Sequence, residues 1–313
     1  MQKKYALGID IGGTNSVFGC SDEAGNLVFE SSVATKNHPT PEELIKEIHA
    51  ILQENGILDN IVGIGIGAPN GNYFSGTIDF APNLPWRGVI PLAKQFENYF
   101  GVPAILTNDA NAAAMGEMIY GAARDLKDFV TITLGTGLGS GVVVNGNMIY
   151  GHDGFAGEYG HIRVIPQGRN CGCGRHGCLE TYVSATGVVR SIFELSSDHK
   201  QKSALSQLDD PTAADVFKLA TKGDLFAMEI IDYTALILGN ALADFACFSS
   251  PKAYVLFGGI AQSGKSFADK VKAVMEESIL NIYKNKIEIR ISELHDKNAA
   301  VLGASSLVWN ETI

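Results

Sequence analysis

Apolar residues in the first third of the chain fall in short alternating runs that end at glycine, asparagine or proline. Such runs are typical of strands, and an apolar stripe at helical spacing over residues 41–55 predicts an amphipathic helix. Thr40 is its predicted N-cap and Pro41 suits its first position. The predicted strands are 5–11, 15–20, 27–34, 62–67 and 104–108, and the other predicted helices are 90–99 and 111–120.

The pattern restarts in the middle of the chain. Residues 9–14 align with residues 132–137, and in both copies a strand leads through a Gly/Thr turn into a second β-rich run. Glycine-rich hairpins can look alike by chance, but the order of the elements that follow also agrees. The repeat therefore predicts a duplicated α/β architecture with a cleft between the halves. The last predicted elements are a strand at 254–257, a helix from 266 to about 283, a strand at 287–291 and a helix from about 298.

The composition allows a substantial core and two domains. Of 313 residues, 46% are hydrophobic and 19% are charged, and the net charge of −10 comes without a block of lysines or arginines. This balance argues against nucleic acid and anionic membranes as partners. No continuous apolar run reaches the ~18–20 residues that cross a bilayer. Because no apolar signal segment opens the sequence, we expect a cytoplasmic protein.

Three of the five cysteines fall within eight residues, and a histidine lies ten residues before the first of them. The set is His161, Cys171, Cys173 and Cys178. Three thiolates and one imidazole complete a tetrahedral Zn²⁺ site with no position for a catalytic water, so the metal would be structural. Its role would be to hold Glu158 and Glu180 together. A disulfide or a set of buried thiols is the alternative, but the odd cysteine count and a reducing compartment disfavour a disulfide.

Gly/Thr turns at 12–14 and 135–137 can present backbone N–H groups to an anion, because glycine has no Cβ to block its approach. Asp10, at the end of the first strand, is placed to hold Mg²⁺ through water. Each turn alone could be an ordinary hairpin, whereas the pair favours a nucleotide. The turn at Gly258 and Gly259 would then form a flat platform for adenine and ribose.

Residues 259–266 satisfy the P-loop pattern G-x-x-x-x-G-K-S after a predicted strand. We reject a P-loop at this position, because few elements follow it and no later strand ends in a Mg²⁺-binding aspartate.

Asp109 follows a predicted strand and precedes an alanine-rich helix. It could simply cap that helix. However, the carboxyl end of a strand is where open α/β sheets bind ligands, and the helix dipole would keep Asp109 ionised. An ionised carboxylate beside a sugar hydroxyl is a competent base for phosphoryl transfer. The adjacent Asn108 suits a second hydroxyl. Asn83 lies in a proline-flanked loop and could be an ordinary turn residue.

These residues together resemble the ROK family of the sugar-kinase/actin/Hsp70 superfamily, over essentially the whole chain. The resemblance rests on residues 10–15 and 134–141 as phosphate motifs, 255–259 as an adenosine motif, and 154–161 and 171–180 as zinc and sugar signatures. It implies a two-domain, duplicated actin-like ATPase (ribonuclease H-like) fold with a cleft between the domains. The implied boundaries are 1–112 plus 300–313 for a small N-terminal domain and 113–299 for a large domain with the zinc site. One departure is Ser140, where many members have glycine; serine is small, so we expect no loss of ATP binding.

The resemblance implies ATP, Mg²⁺ and structural Zn²⁺ as cofactors, and Asp109 as the catalytic base. The implied sugar contacts are Asn83, Asn108, Asp109, Glu158, His161 and Glu180, so that His161 would serve both metal and sugar. The implied nucleotide contacts are Asp10, Gly12, Gly13, Thr14, Asn15, Gly135, Thr136, Gly137, Gly258 and Gly259. The implied zinc ligands are His161, Cys171, Cys173 and Cys178.

The expected activity is transfer of phosphate from ATP to the 6-hydroxyl of glucose, in a homodimer or homotetramer whose final helix packs on the N-terminal domain. N-acetylmannosamine, N-acetylglucosamine, allose and fructose kinases share these motifs and stay open as alternatives. A sugar-binding regulator is the non-enzyme alternative. Repressors of this family carry an additional N-terminal DNA-binding domain, and only four residues precede the first predicted strand here.

Overall fold

A computed structural model of the protein describes residues 3–195, 203–294 and 299–312. The chain divides into two units, each with its own apolar core. The first unit comprises Met1–Asp125, Met148–Ala156 and Glu293–Ile313, and the second comprises Leu126–Asn147 and Gly157–Ser292. The predicted start of the last helix, near residue 298, lies outside the described residues.

The elements before residue 120 are β1 (Tyr5–Ile11), β2 (Ser16–Ser21), β3 (Leu27–Val33), α1 (Pro41–Glu54), β4 (Ile61–Ala68), β5 (Gly71–Asn72), β6 (Thr77–Asp79), β7 (Val89–Ile90), α2 (Leu92–Phe100), β8 (Ala104–Asn108) and α3 (Asp109–Ile119). Those that follow are β9 (Phe129–Leu134), β10 (Leu138–Val144), β11 (Asn147–Met148), α4 (Glu180–Val183), α5 (Ala185–Leu195), α6 (Ala213–Ala220), α7 (Leu225–Ser249), β12 (Ala253–Phe257), α8 (Lys265–Ser278), β13 (Glu288–Ile291) and α9 (Ala299–Thr312).

The two main sheets have the same topology. Their strand orders are β3-β2-β1-β4-β8 and β11-β10-β9-β12-β13. In each, an antiparallel hairpin (β1 with β2, β9 with β10) leads to two further strands that run parallel to its first strand. The predicted duplication and α/β class are therefore confirmed, and the aligned segments 9–14 and 132–137 form the two hairpin turns with the strand ends before them.

Strand glycines let α9 approach the first sheet closely. A Cβ at Gly8 on β1 would overlap the carbonyl oxygen of Val301, and one at Gly65 on β4 would overlap that of Ala304. Since strand side chains alternate between faces, glycine at these positions leaves bare backbone on the face that receives the helix. The predicted packing of the final helix on the N-terminal domain is thus seen within the first unit.

The observed units differ from the predicted boundaries at 112 and 300. Helix α3 packs on α9, with a Cβ at Gly116 reaching only 2.9 Å from the Cα of Gly303, so all of α3 belongs to the first unit. The segment 148–156 also joins it, because the Asn72 side chain donates to the Asp153 carbonyl at 2.7 Å. These contacts are distant in sequence, which is why the repeat alone did not predict them.

Helix α7 forms the centre of the second unit and was not predicted. Among the described residues it is the one helix long and apolar enough to cross a bilayer by length and composition. However, 56% of its most apolar 18-residue window is buried inside the protein, where it packs on α6 and α8. It is therefore accounted for as a core helix. The predicted helix from 266 to about 283 ends earlier, at Ser278.

Candidate functional site

Two carboxylates, Asp10 near the end of β1 and Asp109 directly after β8, lie at the carboxyl edge of the first sheet on either side of the parallel strand β4. Asp10 on β1 pairs with Gly67 on β4, and the next β4 residue, Ala68, pairs with Asn108 on β8. A Cβ at Gly67 would lie 3.6 Å from the Cα of Asp109 and 3.9 Å from Oδ1 of Asp10. Glycine thus leaves the space between the two aspartates clear.

The surroundings of these carboxylates favour protonation. Burial, and secondly the charge of Asp109, raise the pKa of Asp10 to about 7. Burial also raises the pKa of Asp109, against the lowering effect of hydrogen bonds from backbone N–H groups at Ala110 and at its own position. Burial and the hydrogen bonds at the start of α3 therefore act on the pKa of Asp109 in opposite directions, and burial is the larger effect. Asp109 as a residue nevertheless keeps solvent-exposed surface.

Asn108 is the N-cap of α3. Its Oδ1 accepts the Ala110 N–H at 2.8 Å, and Oδ1 of Asp109 accepts the same N–H at 2.8 Å. The capping role considered for Asp109 thus falls mainly to its neighbour. The side-chain N–H groups of Asn108 are the part suited to a ligand hydroxyl.

Asn83 lies against the first Gly/Thr turn. A Cβ at Gly13 would overlap the carbonyl oxygen of Asn83. The loop is anchored by Trp86, which is 4% exposed and donates its indole N–H to the His38 carbonyl at 3.0 Å. The buried aromatic residue among prolines is the signal that could have identified this as an ordered loop.

Both Gly/Thr turns are closed by one backbone hydrogen bond and leave polar groups accessible. Gly12 N–H donates to Asn15 O, and Gly135 N–H donates to Gly137 O, each at 3.1 Å. The accessible residues of these turns are Thr14, Asn15, Gly135 and Thr136.

The turn after β12 contains the two other predicted nucleotide contacts. Gly258 has φ of 98°, and a Cβ there would lie 2.7 Å from the Leu134 carbonyl oxygen at the end of β9. Only glycine fits this left-handed position. Gly259 is accessible, and a Cβ there would have no atom within 4 Å among the described residues, so its backbone is open to a flat ligand.

The P-loop-like segment does lie between a strand and a helix, β12 and α8. Its N–H groups are used internally: those of Gln262, Ser263 and Gly264 donate to carbonyls three or four residues back. A P-loop must instead turn these groups toward phosphate. The local geometry therefore agrees with the rejection of a P-loop.

The duplicated halves differ where the chemistry is expected. The aligned position of Asp10 in the second unit is Thr133, whose hydroxyl accepts the Gly139 N–H at 2.9 Å. Among the residues aligned in the repeat, the carboxylate is thus found in the first copy alone.

The cysteine-rich loop of the second unit brings its four predicted ligands together. One ligand atom from each of His161, Cys171, Cys173 and Cys178 lies within 4.8 Å of all the others. The sulfurs of Cys173 and Cys178 are 3.7 Å apart, and Nδ1 of His161 is 3.6 Å from the Cys171 sulfur. Tetrahedral zinc with bonds of about 2.3 Å to sulfur and about 2.0 Å to nitrogen would require edges of about 3.8 and 3.5 Å. The donor set fits zinc in both chemistry and spacing.

A buried arginine that sequence reasoning missed fixes this loop. Arg169 is 8% exposed and donates to the carbonyls of Thr181 and Gly187 at 2.6 and 3.0 Å. It also pairs with Glu194 at 2.7 Å. These bonds tie the residue that precedes the cysteines to α4 and α5. An arginine beside a cysteine cluster could have suggested such a role only if the helices to which it binds were known.

The two glutamates lie beside the cluster, and Glu180 is also bonded to the first residue of β10. Oε2 of Glu180 accepts the Leu138 N–H at 3.0 Å, and Oε1 lies 3.8 Å from the Cys171 sulfur. Oε2 of Glu158 lies 3.9 Å from Nε2 of His161. His161 therefore directs one ring nitrogen at the cysteines and the other at a carboxylate.

The candidate sugar contacts are divided equally between the units. Asn83, Asn108 and Asp109 lie in the first unit, and Glu158, His161 and Glu180 lie in the second.

Residues 6–311 match the model of the ROK family. The chain belongs to the ROK family. A glucokinase of Halalkalibacterium halodurans is 36% identical over 98% of this chain and 96% of its own length. The crystal structure of a ROK glucokinase from Streptomyces griseus, in complex with glucose and AMPPNP, is 32% identical over 97% of this chain and 98% of that chain, with a TM-score of 0.82. The predicted actin-like fold is thereby confirmed.

ROK relatives also include regulators. The xylose repressor of Bacillus subtilis is 30% identical over 97% of this chain and 77% of its own length. The glucokinases match more of their own length and at higher identity.

Proposed function

We propose that this ROK protein is an ATP-dependent glucokinase that phosphorylates the 6-hydroxyl of glucose, with Asp109 as general base. The observation that carries the proposal is the pair of carboxylates at the carboxyl edge of the first sheet: Asp10 at the end of β1, beside a Gly/Thr turn, and Asp109 directly after β8, with β4 between the two strands. The choice of glucose and ATP is supported by the similarity to glucokinases, one of which was crystallised with glucose and AMPPNP. Kinases for N-acetylmannosamine, N-acetylglucosamine, allose or fructose are the alternative substrates.

Asp109 would accept the proton of the sugar hydroxyl while that oxygen attacks the γ-phosphorus of ATP. The O–H bond breaks, a new O–P bond forms, and the bond from the γ-phosphorus to the bridging oxygen breaks to release ADP. Burial raises the pKa of Asp109, which increases its proton affinity and suits a base acting on an alcohol. Phosphoryl transfer otherwise depends mainly on positioning and charge stabilisation.

The nucleotide would be held by the accessible turn residues and by the platform at Gly258 and Gly259. Gly12, Gly13, Thr14, Asn15, Gly135, Thr136 and Gly137 would bind its phosphates. Asp10 would hold Mg²⁺ through water, and Mg²⁺ supplies charge neutralisation on the phosphate oxygens. A nearby divalent cation would also keep Asp10 ionised despite its raised pKa.

Zinc would be held by His161, Cys171, Cys173 and Cys178, and its role would be structural. Four protein ligands leave it no open position. The metal would fix the loop that presents Glu158 and Glu180 to sugar hydroxyls, with Asn83 and Asn108 as further contacts. His161 would use Nδ1 for the metal and leave Nε2 for the sugar.

We extend the proposal to a cytoplasmic enzyme that forms a homodimer or homotetramer and does not bind nucleic acid or membranes. The net charge of −10 supports the last two statements. Sedimentation of the purified protein would measure its oligomeric state directly.

The experiment is the initial rate of ADP formation from Mg·ATP with glucose, mannose, fructose, allose, N-acetylglucosamine and N-acetylmannosamine. A dominant rate with glucose supports the proposal. A dominant rate with another sugar replaces glucose by that substrate. Sugar binding without turnover, in protein that contains zinc, would instead assign a sugar-binding regulator.

A further inference from the structure

Ser140 lies on β10, three residues after the second Gly/Thr turn, and is 5% exposed. Its hydroxyl donates to the carbonyl oxygen of Gly157 and accepts the N–H of Tyr159 at 3.2 Å. The two partners are the residues on either side of Glu158. One buried hydroxyl on β10 is therefore bonded to the backbone immediately before and immediately after Glu158, a candidate sugar contact.

Glu158 is the centre of a tight turn. Its φ of −75° and ψ of 53°, with a hydrogen bond of 2.8 Å from Tyr159 N–H to Gly157 O, define an inverse γ-turn. Ser140 bonds the same carbonyl and the same N–H. A hydroxyl can donate and accept at once, which a methyl group or a hydrogen atom in its place cannot do.

The loop lies close against β10 on both sides of this turn. A Cβ at Gly157 would be 3.1 Å from the Ser140 carbonyl, and one at Gly160 would overlap the carbonyl of Leu138. The Tyr159 ring packs on Phe245 of α7, with ring centroids 4.3 Å apart. The backbone around Glu158 is thus fixed from the strand and from α7.

The start of β10 also holds the other candidate sugar carboxylate. Leu138, two residues before Ser140, donates its N–H to Oε2 of Glu180. Two nearby residues of β10 therefore contact the two candidate sugar carboxylates or their loops. Leu138 is bonded to Glu180, and Ser140 is bonded to the residues on either side of Glu158. Displacing this strand would move both carboxylates.

We propose that Ser140 is a positioning residue for the acceptor sugar: its hydroxyl sets the γ-turn at Glu158 and links that carboxylate to the strand that follows the second Gly/Thr turn. The inference rests on the proposed sugar kinase function. Ser140 itself makes no contact with the reacting atoms; it acts through Glu158.

The test compares Ser140→Ala, Ser140→Gly and Ser140→Thr in the full-length, zinc-loaded protein. Loss of the hydroxyl leaves the Gly157 carbonyl without its side-chain partner and loosens the turn. We expect KM for the sugar to rise about tenfold in the Ala and Gly variants, the effect of one lost buried hydrogen bond. The KM for ATP and the zinc content should stay within about twofold of wild type, a range smaller than the tenfold that a lost bond represents.

Ser140→Thr, which retains the hydroxyl, should recover most of the sugar affinity that Ser140→Ala loses.

Ser306→Ala is the matched control. Ser306 is fully buried on α9 in the first unit, and its hydroxyl donates to Gly303 O at 2.6 Å. It should lose thermal stability without a change in the sugar KM. If the sugar KM of the folded Ser140→Ala or Ser140→Gly variant equals that of wild type, the positioning role is refuted and Ser140 only fills space. Failure of the proposed function looks different, because wild type itself would then turn over none of the sugars.

Discussion

Replacing Asp10 with asparagine should stabilise the ligand-free protein at pH 8 and much less at pH 5. Burial, then the charge of Asp109, raise the pKa of Asp10 from its ordinary 3.8 to about 7. Between these two values the native state binds more protons than the unfolded state, so the free energy of unfolding falls as pH rises. Above pH 7 the folded protein carries the full cost of an ionised, desolvated carboxylate. Asparagine has a similar shape and no charge, so it removes this cost.

The raised pKa corresponds to roughly 4 kcal/mol above pH 7, at 1.36 kcal/mol per pKa unit. Asp10 is partly accessible, and solvent screening reduces this figure. We therefore expect wild type to lose stability as the pH is raised from 5 to 8 while Asp10→Asn does not. The stability advantage of the variant over wild type should grow by roughly 2 kcal/mol across this range. The same variant should lose Mg·ATP-dependent turnover, as expected where an active site is kept at a cost in stability.

The assay is urea unfolding of both proteins at pH 5, 6, 7 and 8, in EDTA and without nucleotide. Asp22→Asn is the control with the opposite sign, because the side-chain hydrogen bond from Asn26 lowers the pKa of Asp22. The pKa of Asp22 lies below pH 5 in both the folded and the unfolded state. Asp22→Asn should therefore be less stable than wild type by an amount that does not change between pH 5 and 8. A difference between Asp10→Asn and wild type that is equally independent of pH would show that the folded protein does not raise the pKa of Asp10.

Two further predictions test the metal loop and the packing of the final helix. Cys173→Ala should lose bound zinc and sugar affinity together, measured by atomic emission and by calorimetric titration with glucose; zinc-free protein that binds and phosphorylates sugar normally would show that the metal does not organise the site. Gly65→Ala should lower the unfolding free energy by roughly 2 kcal/mol or more, since its Cβ would overlap the Ala304 carbonyl of α9. Gly172→Ala is the control, because a Cβ at Gly172 would have no atom of the described residues within 4 Å. Equal stability of the two variants in urea would contradict the described packing.

The parts predicted correctly from sequence are those encoded locally. Strands β1 and β8 match the predicted spans 5–11 and 104–108, because apolar alternation stops at glycine or asparagine. The Cys/His cluster was identified because three thiols within eight residues, preceded by a histidine, form a donor set typical of zinc sites, and the structure brings all four donors together. The duplication was visible in one short alignment and is confirmed by the identical strand order of the sheets.

The parts that were missed depend on contacts distant in sequence. Helix α7 is apolar around most of its circumference, so it lacks the one-sided stripe by which amphipathic helices are recognised. The sequence around Asp109 indicates a helix N-terminus, whereas the burial that raises the pKa of Asp109 depends on everything packed around it. Ser140 reads as a small turn residue until the loop at 157–159 is folded against it.

Turnover and glucose binding by Asp109→Asn give the sharpest test of the proposed kinase. Asparagine keeps the shape of the side chain but cannot take the proton of the sugar hydroxyl. We predict a folded protein that binds glucose within a few-fold of wild type and forms ADP at least roughly 100-fold more slowly, the scale of a lost general base. Near-normal turnover by this variant would show that Asp109 is not the base and would contradict the assignment.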